Sequence, residues 1–179
     1  MAKSVKLLAV VSLLGLSVSP AAFVRSEVVS VASNGFEVRE SVHIAAAADK
    51  VYGALLVPSR WWSSAHTFSG NAANLTLDGR AGGCWCENIP EGGGSVEHMR
   101  VVFLMPGQIL RLRGPLGPLQ GMGVDGALTF TLKSNAHGTD MTVNYVAGGY
   151  AKDGFDGLSK AIDRVLGQQM ESLRKLLDV

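Results

Sequence analysis

The feature that most constrains this chain is a change of period near residue 155. From residue 73 to residue 146, apolar side chains fall into short runs separated by turn chemistry. After that, Phe155, Leu158, Ile162, Val165, Leu166, Gln169, Leu173, Leu176 and Leu177 recur every three or four positions. The second pattern is one face of an amphipathic helix, with Asp153 placed to cap its start and Asp156 in its first turn. At 1.5 Å per residue such a helix is roughly 37 Å long, enough to cross a whole sheet. It needs an apolar surface of matching length, and the runs before it supply the strands.

Those runs read as an antiparallel meander. The run 74–77 ends at Asp78-Gly79, 84–89 at Pro90-Glu91-Gly92-Gly93-Gly94, 96–104 at Pro106-Gly107, and 109–113 at Gly114-Pro115. The run 126–133 then turns through Asn135-Ala136-His137-Gly138 into 139–146. Glycine supplies positive φ and proline pre-sets φ, so each break carries a turn mechanism. An earlier stretch, 36–44, alternates apolar and polar residues as a half-buried strand does. Between it and the meander, 46–57 has Val51, Tyr52, Leu55 and Leu56 at helical spacing, and Pro58 restarts the chain as a second short helix at Pro58-Ser59-Arg60-Trp61-Trp62.

Composition excludes some functions. With 179 residues, 47% hydrophobic and 17% charged, the chain can bury one core, and a net charge of +1 with no Lys/Arg run leaves no footprint for nucleic acid. The first 21 residues differ from the rest: Lys3 and Lys6, an apolar run 7–18, then Ser19-Pro20-Ala21. This is the layout of a secretory signal, whose 12-residue run falls short of the roughly 20 a spanning helix needs. Small residues place cleavage after Ala21, or as late as Ala32 in Ser30-Val31-Ala32, leaving 22–34 as a linker and 35–179 as the domain. Without Lys3 and Lys6 the chain has 14 basic and 15 acidic residues. The expected location is periplasmic or secreted, with no stable membrane span once the signal is removed.

The order of one strand, two short helices, six strands and a long helix is an α+β helix-grip architecture, a curved antiparallel sheet wrapped around the C-terminal helix. From Phe36 onward the chain resembles the START/Bet v 1-like (SRPBCC) superfamily. The resemblance rests on Ala48-Asp49-Lys50-Val51-Tyr52, on Pro58-Ser59-Arg60-Trp61-Trp62, and on Leu77-Asp78-Gly79-Arg80-Ala81-Gly82-Gly83. Among bacterial branches it looks closest to the Hsp90-ATPase-activator-like and polyketide-cyclase-like groups. Members bind lipids, hormones or polyketides, cyclise substrates, or contact proteins, so the signatures specify a scaffold rather than one activity.

Within that scaffold, Trp61 and Trp62 lie where a short helix crosses the mouth of the sheet and are candidate rim residues of an apolar pocket. Trp85 and Glu87 alternate with Cys84 and Cys86, so each pair shares a face. The resemblance puts Trp85 inward, and Glu87 with it. A carboxylate without a fixed partner in an apolar cavity is expected to have a raised pKa and to anchor a ligand or act as acid or base. His66 stands just after the tryptophan pair, and Met122 and Tyr145 complete the candidate set.

In the segment 114–123, Leu116, Leu119 and Met122 form the inner face of a loop or lid. Residues two apart in a regular strand have Cα atoms about 6.5–7 Å apart, at the edge of disulfide reach, so Cys84 and Cys86 are expected as packed free thiols. Folding the hairpin about Gly92–Gly94 puts His98 beside Cys86 and Arg100 beside Cys84, two thiols and an imidazole short of a fourth metal ligand, so neither metal nor other cofactor is expected. No serine, histidine and aspartate triad and no phosphate-binding glycine loop can be assembled.

The leading expectation is binding of a hydrophobic small molecule between sheet and helix. The alternatives are a cyclase, dehydratase or hydrolase using Glu87 and a histidine, and a protein-interaction domain. Whether Glu87 meets His66 or His98 inside a cavity separates binding from catalysis. Oligomeric state is not legible. Intact-mass measurement of the exported protein should find a chain lacking residues 1–21 or 1–32, whereas an uncleaved Met1 in the membrane fraction would contradict the signal.

Overall fold

The computed structural model describes residues 24–178, so the signal-like segment 1–21 lies outside the described residues. Eight strands form one antiparallel sheet: β1 (Val24–Ala32), β2 (Gly35–Ile44), β3 (Leu75–Leu77), β4 (Cys84–Ile89), β5 (Gly94–Met105), β6 (Ile109–Arg113), β7 (Val124–Asn135) and β8 (Gly138–Gly149). Their spatial order is β1-β2-β8-β7-β6-β5-β4-β3. Helix α1 (Ala48–Leu55) follows β2, and helix α2 (Asp156–Leu177) ends the chain. This is the helix-grip arrangement, with α2 packed on the face the strands turn inward.

The strands form where alternation required them. β2 buries Phe36, Val38, Glu40, Val42 and Ile44 and half-exposes the residues that alternate with them. Its partner β8 buries Met141, Val143, Tyr145 and Ala147. α2 is 22 residues long, about 33 Å, and buries Ser159, Ile162, Leu166, Gln169, Met170 and Leu173. Its expected phase holds, with Ser159 and Met170 added to it. The cap does not hold: Phe155 occupies the N-cap position with no side-chain cap bond, and Asp153 lies before it in the turn. Among the described residues, no helix is long and apolar enough to cross a membrane.

Two local readings need correction. The stretch 22–34, read as a linker, contains strand β1, paired along β2 from Val24↔Val42 to Ala32↔Gly35. It is an edge strand with mostly exposed side chains, so it lacks the one-sided apolar pattern that would have marked it. The restart at Pro58 is a single 3₁₀ turn, Pro58–Arg60, followed by further 3₁₀ turns at Ser64–His66 and Ala72–Asn74. Such turns tighten the chain where an α-helix would carry it past the sheet.

β2 also puts a charge into the core. Glu40 shares the face of Val38 and Val42 and is fully buried. The Ser26 hydroxyl donates to Oε2, while Oε1 has no partner among the described residues. Gly167 lets α2 pass close by, since a Cβ there would lie 2.4 Å from Ser26 Oγ and 3.4 Å from Glu40 Oε2. Burial pushes the Glu40 carboxyl up to about 7, the Ser26 bond opposes this, and the nearby Asp163 charge adds to the rise.

Folding therefore takes up a proton at Glu40 between its ordinary 4.5 and about 7. That contribution to stability is complete below pH 4.5 and is lost as pH rises through about 7. Glu40→Gln should match wild type near pH 5 and exceed its unfolding free energy by about 1–3 kcal/mol near pH 8. Denaturant melts at the two pH values check this, and a constant difference would exclude a protonated Glu40.

Candidate functional site

Between β4, β5 and α2 lies a cavity of about 380 Å³. Its roof is the 62–75 segment, which contributes Trp62, Phe68 and Leu75. Trp85 and His98 form the sheet wall. Ile162, Val165 and Leu166 form the helix wall, with Ala161 beside them, and the turn Leu116-Gly117-Pro118 closes the remaining side. Most of these groups are apolar, and the volume lies within the range of about 300–1,000 Å³ usual for small-molecule sites.

The roof is tied down at both ends. Ser63 N donates to Gln169 Oε1 of α2 at 2.7 Å, and the His66 Nε2 and Gln168 Oε1 atoms are 3.2 Å apart. The amides of Phe68 and Ser69 donate to the Glu87 carboxylate, the former at 3.1 Å. Trp62 Nε1 donates to the His66 carbonyl at 2.8 Å, and the Trp62 ring meets Trp85 edge to face, with ring centroids 4.9 Å apart and planes at 88°.

Glu87 shares the inward face of β4 with Trp85, as expected, and is buried. Its environment is not the expected one. Besides the two amides, its Oε2 lies 2.9 Å from His98 Nε2. Burial pushes the carboxyl up, but hydrogen bonds from Ser69, Phe68 and His98 together outweigh it and hold the carboxyl below its ordinary value. Glu87 is thus an ionised clamp with fixed partners, standing behind His98, and the raised pKa expected of an unpartnered carboxylate does not occur.

His98 reaches Glu87 because β5 carries a bulge. Trp85 pairs with Met99 but Cys86 pairs with Glu97, leaving His98 as the extra residue. In a regular strand His98 and Met99 would face opposite sides, yet both are buried. The regular register placed His98 beside Cys86 on the outer face, and the bulge brings it inside. Arg100 does pair with Cys84 as expected.

On the outer face Cys84 and Cys86 are bonded as a disulfide, with Cα atoms 5.4 Å apart. The contraction below the regular-strand spacing occurs opposite the bulge and corrects the expectation of free thiols. Among the described residues, no group of three metal-ligating side chains converges.

The other candidates divide. Trp62, His66 and Trp85 border the cavity. Trp61 does not: it is buried beside α1, its Nε1 donating to the Ala54 carbonyl at 3.0 Å. Tyr145 is also core. Its ring covers Gly126, where a Cβ would lie 2.5 Å from the ring, and packs against Phe36. Its hydroxyl accepts from Leu116 N at 3.1 Å and donates to the Gly114 carbonyl. Tyr145 therefore supports the 114–118 turn without reaching the cavity. Met122 packs on the core outside the cavity, and Leu119 is fully buried, so only Leu116 of the expected lid face reaches the site. Phe68 was missed, and His98 was weighed as a partner of Glu87 although the regular register placed it beside Cys86. Phe68 sits in a loop without period, and nothing in the sequence marks the bulge.

No protein-family model matches the sequence, and no curated protein matches it. Solved structures do. An uncharacterised protein from Rhizobium leguminosarum superposes with a TM-score of 0.62 at 16% identity, covering 87% of this chain and 98% of that one. CalU16 from Micromonospora echinospora gives 0.56 at 13% identity, covering 88% and 84%. The Aha1 dimer from Colwellia psychrerythraea gives 0.53 at 18%, covering 80% and 96%. The likeness is one of fold. It agrees with a Bet v 1-like scaffold and assigns no activity.

The clamp makes a stability prediction. Glu87→Ala should lower the unfolding free energy by about 2–4 kcal/mol near neutral pH, and Glu87→Gln, which keeps an acceptor, by about 1–2. Hydrogen exchange at the Phe68 and Ser69 amides should quicken in both. Because the folded carboxyl titrates below its ordinary 4.5, this contribution is present above that pH and is lost as pH falls below it. Unchanged amide protection in Glu87→Ala would show that the roof is held by other contacts.

Proposed function

We propose that the chain is an exported binding protein for a hydrophobic small molecule held in the cavity beneath the 62–75 segment. The observation that carries this reading is the connected space of about 380 Å³ with apolar walls from sheet, helix and turn and few polar groups on its lining. A filled core would have favoured a protein-interaction domain, whereas open space of this size suits a ligand. Affinity comes from removing apolar ligand surface from water, and the few polar groups orient the ligand.

Export is supported by the signal-like residues 1–21 and by the Cys84–Cys86 bond, which is at home in an oxidising compartment. Cleavage after Ala21 fits better than cleavage after Ala32, which would remove β1 and the Ser26 donor to Glu40. The sequence signatures favour a place near the polyketide-cyclase-like and Hsp90-ATPase-activator-like branches.

One contact favours a second reading, acid–base catalysis of cyclase, dehydratase or hydrolase type. Glu87 and His98 are 2.9 Å apart and the imidazole borders the cavity, as a general base held by a carboxylate would be. Among the described residues the rest of the cavity wall is mostly apolar, and its one hydroxyl, Thr67, is engaged by the Ser64 carbonyl, so binding remains the first reading.

Titration with 2-methoxynaphthalene, followed by the fluorescence of Trp62 and Trp85 at the site, tests the reading. Wild type should saturate at one molecule per chain, and Ala161→Trp, which fills the space beside α2, should bind at least about tenfold more weakly. Equal binding by both proteins would place the apolar site elsewhere.

A further inference from the structure

The cavity wall has a polarity that its apolar lining hides. Glu87 accepts from the Phe68 and Ser69 amides and faces His98 Nε2 at 2.9 Å. An ionised carboxylate can only accept, so the neutral form of the imidazole carries its proton on Nε2 and has a lone pair on Nδ1. Nδ1 has no hydrogen-bond partner among the described residues, and the His98 ring borders the cavity. Next to it, Trp85 Nε1 is a buried donor with no acceptor among the described residues. The Trp85 and His98 ring centroids are 6.0 Å apart, and the Phe68 ring lies 5.9 Å from the imidazole. Trp85 Nε1 is sealed from the cavity, so the unmet polarity offered to a ligand is the acceptor on His98. A hydroxyl is a small neutral group that can donate to it.

We infer that the cavity selects apolar ligands bearing an acidic hydroxyl, of the phenol or enol class, and that His98 is the residue that selects them. The inference rests on the reading of this cavity as a ligand site and specifies its ligand class. The hydroxyl donates to Nδ1. Where it is acidic enough its proton passes to Nδ1, the ligand keeps the electron pair as an oxyanion, and the imidazolium lies between that oxyanion and the Glu87 carboxylate. No further reactant is needed. The aromatic rings of Phe68, Trp62 and Trp85 suit a flat ligand body.

Glu87 acts through His98 as a positioning residue. It fixes which nitrogen carries the proton, and an amide at the same place can donate to Nε2 and release that constraint. His66, the other histidine on the cavity, stands in the roof with Nε2 3.2 Å from Gln168 Oε1, and a neutral amide, which can present a donor or an acceptor, does not fix its tautomer as a carboxylate does.

The test compares 2-naphthol with 2-methoxynaphthalene, which have the same ring body but differ in the hydroxyl hydrogen. Both are titrated into wild type, His98→Phe and Glu87→Gln. Wild type should bind 2-naphthol about tenfold more tightly than the ether, the scale of one well-placed buried hydrogen bond. The ratio should fall to about one in His98→Phe, and toward one in Glu87→Gln, since tautomer choice sets the donor and acceptor pattern.

Equal affinities in wild type would overturn the selection while leaving the cavity reading intact. Failure of wild type to bind either probe would overturn that reading and the inference with it. A preference that survives in His98→Phe would remove His98 from the role. The wild-type comparison decides the ligand class by itself, so the inference stays exposed to refutation even if a variant folds poorly.

Discussion

The Glu87 carboxylate is the interaction on which the rest of the site depends. It is buried on β4, takes backbone donors from Phe68 and Ser69, and meets His98 from β5. One side chain thereby joins the sheet wall to the roof and sets the orientation of the cavity's imidazole. The roof residues have only 3₁₀ turns and little periodic burial of their own, so an ionic anchor does what an apolar helix face does elsewhere. The far end of the roof is held by Gln169 and Gln168 of α2, which makes the helix both a wall of the cavity and a tether of its lid.

Two buried carboxylates show how partners decide the outcome of burial. Glu87 and Glu40 both lie on the core face of their strands, and burial pushes both up. Glu87 has three donors and stays ionised. Glu40 has the Ser26 hydroxyl alone, lies near the Asp163 charge, and moves to about 7. The first organises a site, whereas the second makes the β1–β2 seam against α2 sensitive to pH.

Much of the fold was legible because each element repeats its period many times. β2 and the meander announced themselves by alternation and glycine or proline breaks, and α2 by nine residues on one face. The features that escaped are those with a single occurrence. β1 is an edge strand without an apolar face, and the β5 bulge falls among Glu97, His98 and Met99, where no glycine marks it. That one extra residue, His98, changed two readings: it came inside to meet Glu87, and Cys84 and Cys86 opposite it came within bonding distance. Trp61 and Tyr145 were drawn into the expected site by residue type, yet each is held in the core by a contact no local pattern reveals, the Ala54 carbonyl for one and Gly126 for the other. Glu40 did carry a signal, as the polar member of the series Phe36, Val38, Glu40, Val42 and Ile44.

The imidazole on the cavity wall is held at Nε2 by a carboxylate, and its Nδ1 has no partner among the described residues. The protonation of the two His98 ring nitrogens tests this most directly. Nitrogen-15 chemical shifts of the imidazole, assigned by loss of the signal in His98→Phe, should at about pH 8 show a protonated Nε2 and an unprotonated Nδ1. The reverse tautomer, or rapid averaging between the two, would contradict the account, because Glu87 would then not be accepting from His98 and the cavity would not present a fixed acceptor.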